Sequence, residues 1–298
     1  MEWSKIIQPP EYLTATRIAL LNDEFAPLAV KHCGIEPGMK VLEVGCGTGC
    51  FSRWLSQATA GVSYVGLDQD ELLIQNAQEM QGDNQISYHL ASAFEMPFQD
   101  HSFDVVFSHT FLNCVEDPKK AMEEMKRVVK PGGRITSVTS MSLGCETWHT
   151  GYYPKECDWQ DTIRIFEKKM LVTMEKLKCG PYALSKGYPA SAMPHFFHES
   201  KLQEVHIFPI PRAFSLSNAD MAEDKKQRYI TQMTIGEKGR LHGAMEVPGF
   251  LETIKMQECA DYEKALDARE VFWLSHLQEN SIWEWYGSSA LLVSGICS

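Results

Sequence analysis

Val41-Leu42-Glu43-Val44-Gly45-Cys46-Gly47-Thr48-Gly49 is the stretch that decides the fold class of this 298-residue chain. An apolar run long enough for a strand, Lys40–Val44, enters three glycines at every second position, and a helical pattern follows over Phe51–Gln57. Glycines at such a junction let the backbone turn sharply and let a ligand approach where a Cβ would collide. The helix beyond them aims free N–H groups into the same space. Outward from this point the pattern repeats. Further strands read at Ser63–Leu67, Ile86–Leu90, Phe103–Ser108 and Arg134–Ser140, with helices near Glu71–Met80 and Pro118–Val129 between them. Ala121, Met122, Met125, Val128 and Val129 form the buried stripe of the last helix. Alternation at this length implies right-handed crossovers and a mainly parallel sheet covered on both faces. Pro131-Gly132-Gly133 reads as the turn between that helix and the next strand.

The spacing G-x-G-x-G differs from the G-x-G-x-x-G of dinucleotide sites, and Glu43 stands two residues before the first glycine. A carboxylate there repels a pyrophosphate and suits a cationic ligand. S-adenosylmethionine carries both an ammonium and a sulfonium. Asp68, at the end of the second strand and about twenty residues beyond the turn, is placed to accept both ribose hydroxyls.

After Ser140 the rhythm breaks. An aromatic-rich stretch (Trp148, Tyr152, Tyr153, Trp159) precedes a helical pattern from Asp161 to Leu177, and Met193–Glu199 with Val205–Pro209 reads as another helix and strand. Residues 213–286 are helical in pattern with a break at Pro248-Gly249, and Ala290–Cys297 reads as a last buried strand. Residues 11–33 read as a helix that Pro27 bends or interrupts. The domain plan is therefore a core at 1–140, a cap at 141–192, a core helix and strand at 193–212, a second cap at 213–286, and a last core strand at 287–298.

Composition excludes several classes. No run reaches the roughly 18 apolar residues of a membrane span, and the N-terminus lacks the pattern of a secretion signal. Nine scattered cysteines without a Cys-x-x-Cys pair read as free thiols of a reducing cytosol, with no metal site. A net charge of −11 argues against a nucleic-acid partner. Lys168-Lys169 and Lys225-Lys226 lie beside acidic residues and read as solvated helix faces.

Five segments in order resemble the class I S-adenosylmethionine-dependent methyltransferases, in particular the small-molecule, methyltransferase type 11 branch that includes enzymes of quinone biosynthesis. They are Val41–Gly49; Val65-Gly66-Leu67-Asp68; Ala91-Ser92-Ala93-Phe94-Glu95-Met96-Pro97-Phe98; Ser102-Phe103-Asp104-Val105-Val106; and Val128-Val129-Lys130-Pro131-Gly132-Gly133-Arg134. The resemblance implies a Rossmann-like seven-stranded sheet with a reversed last strand. It also implies cofactor contacts from Glu43, Gly45, Cys46, Gly47, Thr48 and Gly49, a ribose contact from Asp68 with Gln69 near the adenine, an adenine-edge contact from Ser92 and Ala93, and a fourth-strand end, Ser108-His109, facing the methyl group. Where the family often has Asp, this chain has Ser92.

Transfer from a sulfonium needs chiefly alignment of the acceptor, with a base when the acceptor is a phenol or thiol. His109 is the first candidate for that base, against a reading as a pocket-wall histidine; His149, His195 and His198 are weaker candidates. Tyr12 and Arg17 could close over the cofactor, Arg17 pairing its carboxylate. Trp148, Tyr152 and Tyr153 suit either an acceptor pocket or packing of the insertions, whereas Trp283, Trp285 and Tyr286 read as core residues just before the last strand. The expected partner is a small-molecule methyl acceptor, without nucleic acid or membrane; assembly as a homodimer is compatible with the sequence. A protein or RNA methyltransferase and a silent S-adenosylmethionine-binding protein are the competing readings.

Overall fold

The computed structural model describes residues 3–82, 86–140, 148–152, 157–179, 190–278 and 283–298. The chain forms two compact units, one built of Leu21–Thr147, Ser185–Arg212 and Ser288–Ser298, the other of Met1–Leu20, Trp148–Leu184 and Ala213–Gly287. The strands are β1 (Lys40–Val44), β2 (Ser63–Asp68), β3 (Ser87–Leu90), β4 (Phe103–His109), β5 (Val129–Ser140), β6 (Trp148–Tyr152), β7 (Gln203–Ser215) and β8 (Trp283–Ile296). The helices are α1 (Trp3–Ile6), α2 (Pro10–Leu20), α3 (Ala26–Cys33), α4 (Cys50–Ala58), α5 (Glu71–Glu79), α6 (Pro118–Val128), α7 (Trp159–Lys176), α8 (Met193–Glu199), α9 (Glu223–Met245), α10 (Phe250–Thr253) and α11 (Met256–His276).

The first unit holds the sheet. Its strands follow the order β3-β2-β1-β4-β5-β8, with β7 on β8. Pairing is parallel from β3 through β5, and β8 runs antiparallel to β5. This is the reversed strand the resemblance implies. Side chains alternate between two apolar layers, as a strand period of two requires: Leu42, Val44 and Val106 enter one with α6 and α8, while Val41, Val105 and Phe107 enter the other with α3 and α4. The α6 stripe is buried at Ala121, Met122, Met125 and Val128. Asp117 caps that helix by accepting from Lys120 N at 3.1 Å.

Two readings change here. The helix read over 11–33 is interrupted, but ahead of Pro27 and not by it. The chain breaks after Leu20 into a short 3-10 turn capped by Asn22, and Pro27 sits in the first turn of α3, where its missing N–H has no intrahelical partner to lose. Nor does Pro131-Gly132-Gly133 precede its strand: Phe103 faces Val129 and Val105 faces Arg134, so Lys130–Gly133 is accommodated as a bulge inside β5.

The second unit is helical, and the N-terminal segment through Leu20 clusters with it. One apolar cluster joins α7 to α9, α10 and α11, around Phe166, Tyr262 and Phe250. Another joins α2 to α9 and α11, around Ala15, Tyr229 and Trp273. Glu237 and Arg269 form a buried ion pair between α9 and α11. Lys226, expected on a solvated face, is buried at 5% exposure, and Lys169 pairs with Glu258 at 2.6 Å. Trp283, Trp285 and Tyr286 lie within β8 rather than before it, and its first residues pair antiparallel with β6, from Trp148 opposite Gly287 to Tyr152 opposite Trp283. Tyr153 lies outside the described residues.

Candidate active site

The carboxyl ends of β1, β2, β3 and β4 lie side by side, where open α/β sheets bind ligands. At the end of β1 the chain turns through Gly45, Cys46, Gly47 and Gly49. Gly45 has φ +70°, and a Cβ there would stand 2.3 Å from the Phe111 ring. Gly49 has φ +68°, and a Cβ there would stand 2.3 Å from the Tyr88 hydroxyl. The turn is pinned from β2: the N–H groups of Gly45 and Cys46 both donate to Leu67 O, at 2.8 and 3.0 Å.

Asp68 does two things at once. Its Oδ2 accepts from Gly47 N at 2.9 Å and its Oδ1 from Asp70 N at 3.0 Å. The carboxylate thus fixes the middle glycine and the entry to α5, and each oxygen keeps a lone pair for another donor. Burial raises the Asp68 pKa above its ordinary value; the N–H groups of Asp70 and Gly47 pull it back, and the Asp70 charge adds to the rise. Gln69 beside it is exposed. Ala91 N donates to Asp68 O at 2.9 Å, which draws Ser92 and Ala93 alongside. Ser92 Oγ accepts from Phe94 N at 3.2 Å and retains its O–H to donate.

Glu43 sits differently from its sequence reading. It is only 1% exposed, and its Oε2 accepts both the N–H of Ser52, at 3.1 Å, and the Ser52 hydroxyl. It therefore lies beneath the turn and holds the first turn of α4, instead of lining the crevice. Its charge still acts there. Burial first, and then the charges of Asp68 and Glu43, push the Cys46 thiol well above its usual range, with Arg53 opposing them.

Three residues that the sequence did not single out brace this arrangement. Arg53 on α4, 9% exposed, donates to Thr48 O at 2.7 Å, to the Tyr88 hydroxyl at 3.4 Å and to Cys50 Sγ at 3.2 Å. Tyr88 on β3 closes under Gly49, and Phe111 packs on Gly45. A lone arginine in an amphipathic helix carries no sequence sign that it is buried, and β3 is too short to show which face Tyr88 takes. Thr48 is itself buried, with its hydroxyl 3.3 Å from Cys50 Sγ.

At the end of β4, Ser108 is fully buried and its Oγ has no hydrogen-bond partner among the described residues. His109, 5% exposed, stacks on Phe51 with ring centroids 4.4 Å apart. The structure places Tyr12 and Arg17 on α2 in the helical unit, where the Tyr12 ring carries Arg240 at 4.4 Å and Arg17 donates to Thr16 Oγ1 at 3.1 Å. His195 and His198 are exposed on α8, His195 standing 3.4 Å from Glu199. No cluster of metal-ligating side chains occurs among the described residues.

The residues fit S-adenosylmethionine. Asp68 pins the glycine turn while keeping acceptor capacity for paired hydroxyls, and the carboxylates of Asp68 and Glu43, one bonded to the turn and one to the start of α4, suit a cation.

Comparison with known proteins agrees with this geometry. Residues 42–137 match the family model described as a methyltransferase domain. A demethylmenaquinone methyltransferase of Oceanobacillus iheyensis is 33% identical over 128 residues, 42% of this chain and 54% of that protein. Its namesake in Renibacterium salmoninarum is 39% identical over 108 residues, 36% and 44% of the two chains. The chain thus spans about half the length of the curated relatives it matches. A solved structure from Anabaena variabilis, assigned as a methyltransferase, covers 94% of this chain and 99% of its own with a TM-score of 0.54 and 14% identity, a likeness of fold. The strand order and the glycine turn pinned to Asp68 accord with the similarity of residues 42–137 to a methyltransferase domain.

Proposed function

We propose that the protein is an S-adenosylmethionine-dependent methyltransferase acting on a small-molecule acceptor. The observation that carries the reading is the carboxylate of Asp68 bonded to Gly47 N–H, because it joins the glycine turn and a ribose-type acceptor in one element. Gly45–Gly49 receive the amino-acid portion of the cofactor, Asp68 its ribose, and Gln69, Ser92 and Ala93 its base. When bound, S-adenosylmethionine supplies a methyl group on a sulfonium, which is transferred by in-line displacement. The chain's task is then alignment, which supplies roughly 7–11 kcal/mol in favourable cases. His109, at the carboxyl end of β4, is the proposed proton acceptor for an acidic acceptor; its ring stacks on Phe51.

The curated relatives bear small-molecule methyltransferase names, which supports a metabolite as acceptor. The acidic chain weighs against RNA. No described helix is long and apolar enough to cross a membrane, and the eight described cysteines are free thiols, which supports a reducing compartment such as the cytoplasm. The experiment is transfer of isotope-labelled methyl from S-adenosylmethionine to a fractionated cell extract. Label in low-mass products is the expected result. Label in protein or RNA would replace this reading with a macromolecular one, and no transfer to any fraction would favour a silent binder.

A further inference from the structure

We infer that Arg240, held on the ring of Tyr12, is a binding site of the helical unit for the carboxylate of a small molecule other than the cofactor. The site stands apart from the methyltransferase reading: Tyr12, Glu167, Arg240 and Tyr262 all belong to one compact unit, and none of them is drawn from the glycine turn.

Two arginines of this unit lie over aromatic rings at the same separation. Arg269 stands 4.4 Å from the ring centroid of Trp273, and Arg240 stands 4.4 Å from that of Tyr12. Arg269 is completed by a carboxylate: its Nη1 donates to Glu237 Oε1 at 3.3 Å and its Nη2 donates to Oε2. Arg240 has the ring without the carboxylate. It makes no hydrogen bond and no ion pair to any described residue. Stacking occupies the face of a guanidinium and leaves its five N–H donors free at the edge, in a planar fork that matches a carboxylate.

Acids are close by, but each is engaged. Glu237 lies one turn before Arg240 on α9 and pairs across to Arg269 of α11. Glu167 of α7 accepts from the Tyr262 hydroxyl at 3.2 Å. Burial acts to lower the Arg240 pKa, and the charges of Tyr12, Glu167, Tyr262 and Glu237 outweigh it and raise it, so the guanidinium stays charged.

The arrangement is built by close packing of α2 on α9. A Cβ on Gly236 would stand 2.4 Å from Tyr12 N, and one on Gly239 would stand 3.0 Å from Pro9 Cγ. The missing side chains let the start of α2 approach α9 and bring the Tyr12 ring onto Arg240, one turn beyond Gly236. Glu237 and Arg269 are sealed at 5% and 4% exposure, whereas Tyr12, Glu167 and Arg240 are only half-buried, so a ligand can reach Arg240 from solvent. Charge then selects the ligand. Glu167 and Glu237 already balance Arg240 and Arg269, so a dianion such as phosphate adds twice the repulsion of a monoanion. A carboxylate carries the single charge and takes two parallel N–H bonds from the fork.

The test is equilibrium binding of benzoate and of benzamide, its neutral and equally planar counterpart, to the full chain by ligand-observed NMR. It is run without cofactor and again with saturating S-adenosylhomocysteine. Benzoate should bind saturably, with benzamide weaker by about tenfold. Inorganic phosphate should not displace benzoate, and S-adenosylhomocysteine should leave its affinity within about twofold. Arg240→Gln should weaken benzoate by about tenfold. Should that variant fold poorly, Arg240→Lys keeps the charge but offers no fork, and should still weaken benzoate severalfold. No benzoate binding to the wild type, benzamide binding as well as benzoate, displacement by phosphate, or benzoate affinity unchanged in these variants would overturn the inference. So would displacement of benzoate by S-adenosylhomocysteine with an equal loss of both ligands in Arg240→Gln, since Arg240 would then serve the cofactor's carboxylate. Failure of the wild type to bind S-adenosylhomocysteine would count against the methyltransferase reading instead, and the benzoate–benzamide comparison without it still decides the site.

Discussion

Gly45→Ala probes the turn most sharply, because two separable costs fall on one methyl group. Gly45 has φ +70°, and holding an L-residue there costs about 1–2 kcal/mol. The added Cβ would also stand 2.3 Å from Phe111 Cδ2 and 2.7 Å from Cγ, contacts that oblige the ring to move. Overpacking of that kind costs about 1–3 kcal/mol, so the total is about 2–5 kcal/mol, a large share of a stability of about 5–15 kcal/mol. Gly38 supplies the control: it has φ +88° and nothing within 4 Å of its ideal Cβ, so Gly38→Ala carries the strain without the collision. Urea unfolding followed by tryptophan fluorescence should rank Gly45→Ala below Gly38→Ala by about 1–3 kcal/mol, and adding Phe111→Ala to Gly45→Ala should return much of that gap. Equal losses in the two alanine variants, with no recovery on trimming Phe111, would refute the close approach of Phe111 to the turn.

Other outcomes follow from the same site. Asp68→Ala removes the acceptor proposed for the ribose hydroxyls and should weaken S-adenosylhomocysteine by about 1.5–3 kcal/mol in calorimetry; unchanged affinity would remove Asp68 from the ribose site. Because burial raises the Asp68 pKa above 3.8, cofactor affinity should begin to fall on acidification at a higher pH than an exposed aspartate would give. For folding the sign is the reverse: a carboxyl with a raised folded pKa favours the folded state below its unfolded pKa and loses that contribution as pH rises through the folded value. Acid titration of Asp68→Asn by the same binding assay should lack the step. His109→Gln should lower turnover while S-adenosylhomocysteine affinity stays within about twofold; full turnover would take His109 out of the mechanism.

How much of this was legible in the residues varies with the kind of signal. The strands β1 to β5 and helices α4 to α6 announce themselves through period and punctuation, and their observed limits differ from the sequence reading mostly by a residue or two at the ends. The bulge at Lys130–Gly133 was hidden because a Pro-Gly-Gly turn and a Pro-Gly-Gly bulge have the same local composition; only the register against β4 separates them. A proline that bends a helix, one that interrupts it and one that begins the next read alike until the break at Asn22 is seen.

In the site, residues whose work is local were readable, and those that act across the fold were not. The glycines and Asp68 follow from spacing along the chain. Glu43 was read as a crevice wall because sequence shows its charge but not its partner, Ser52, nine residues on. Arg53 and Tyr88 meet across 35 residues, a contact no local pattern in the sequence announces.

The proposed function requires the glycine crevice to prefer a cationic nucleoside over a diphosphate. Calorimetric titration of the full chain with S-adenosylmethionine and, separately, with NAD measures that preference directly. Saturable one-site uptake of S-adenosylmethionine with no heat from NAD at the same concentrations is the result predicted; tight uptake of NAD and none of S-adenosylmethionine would contradict it.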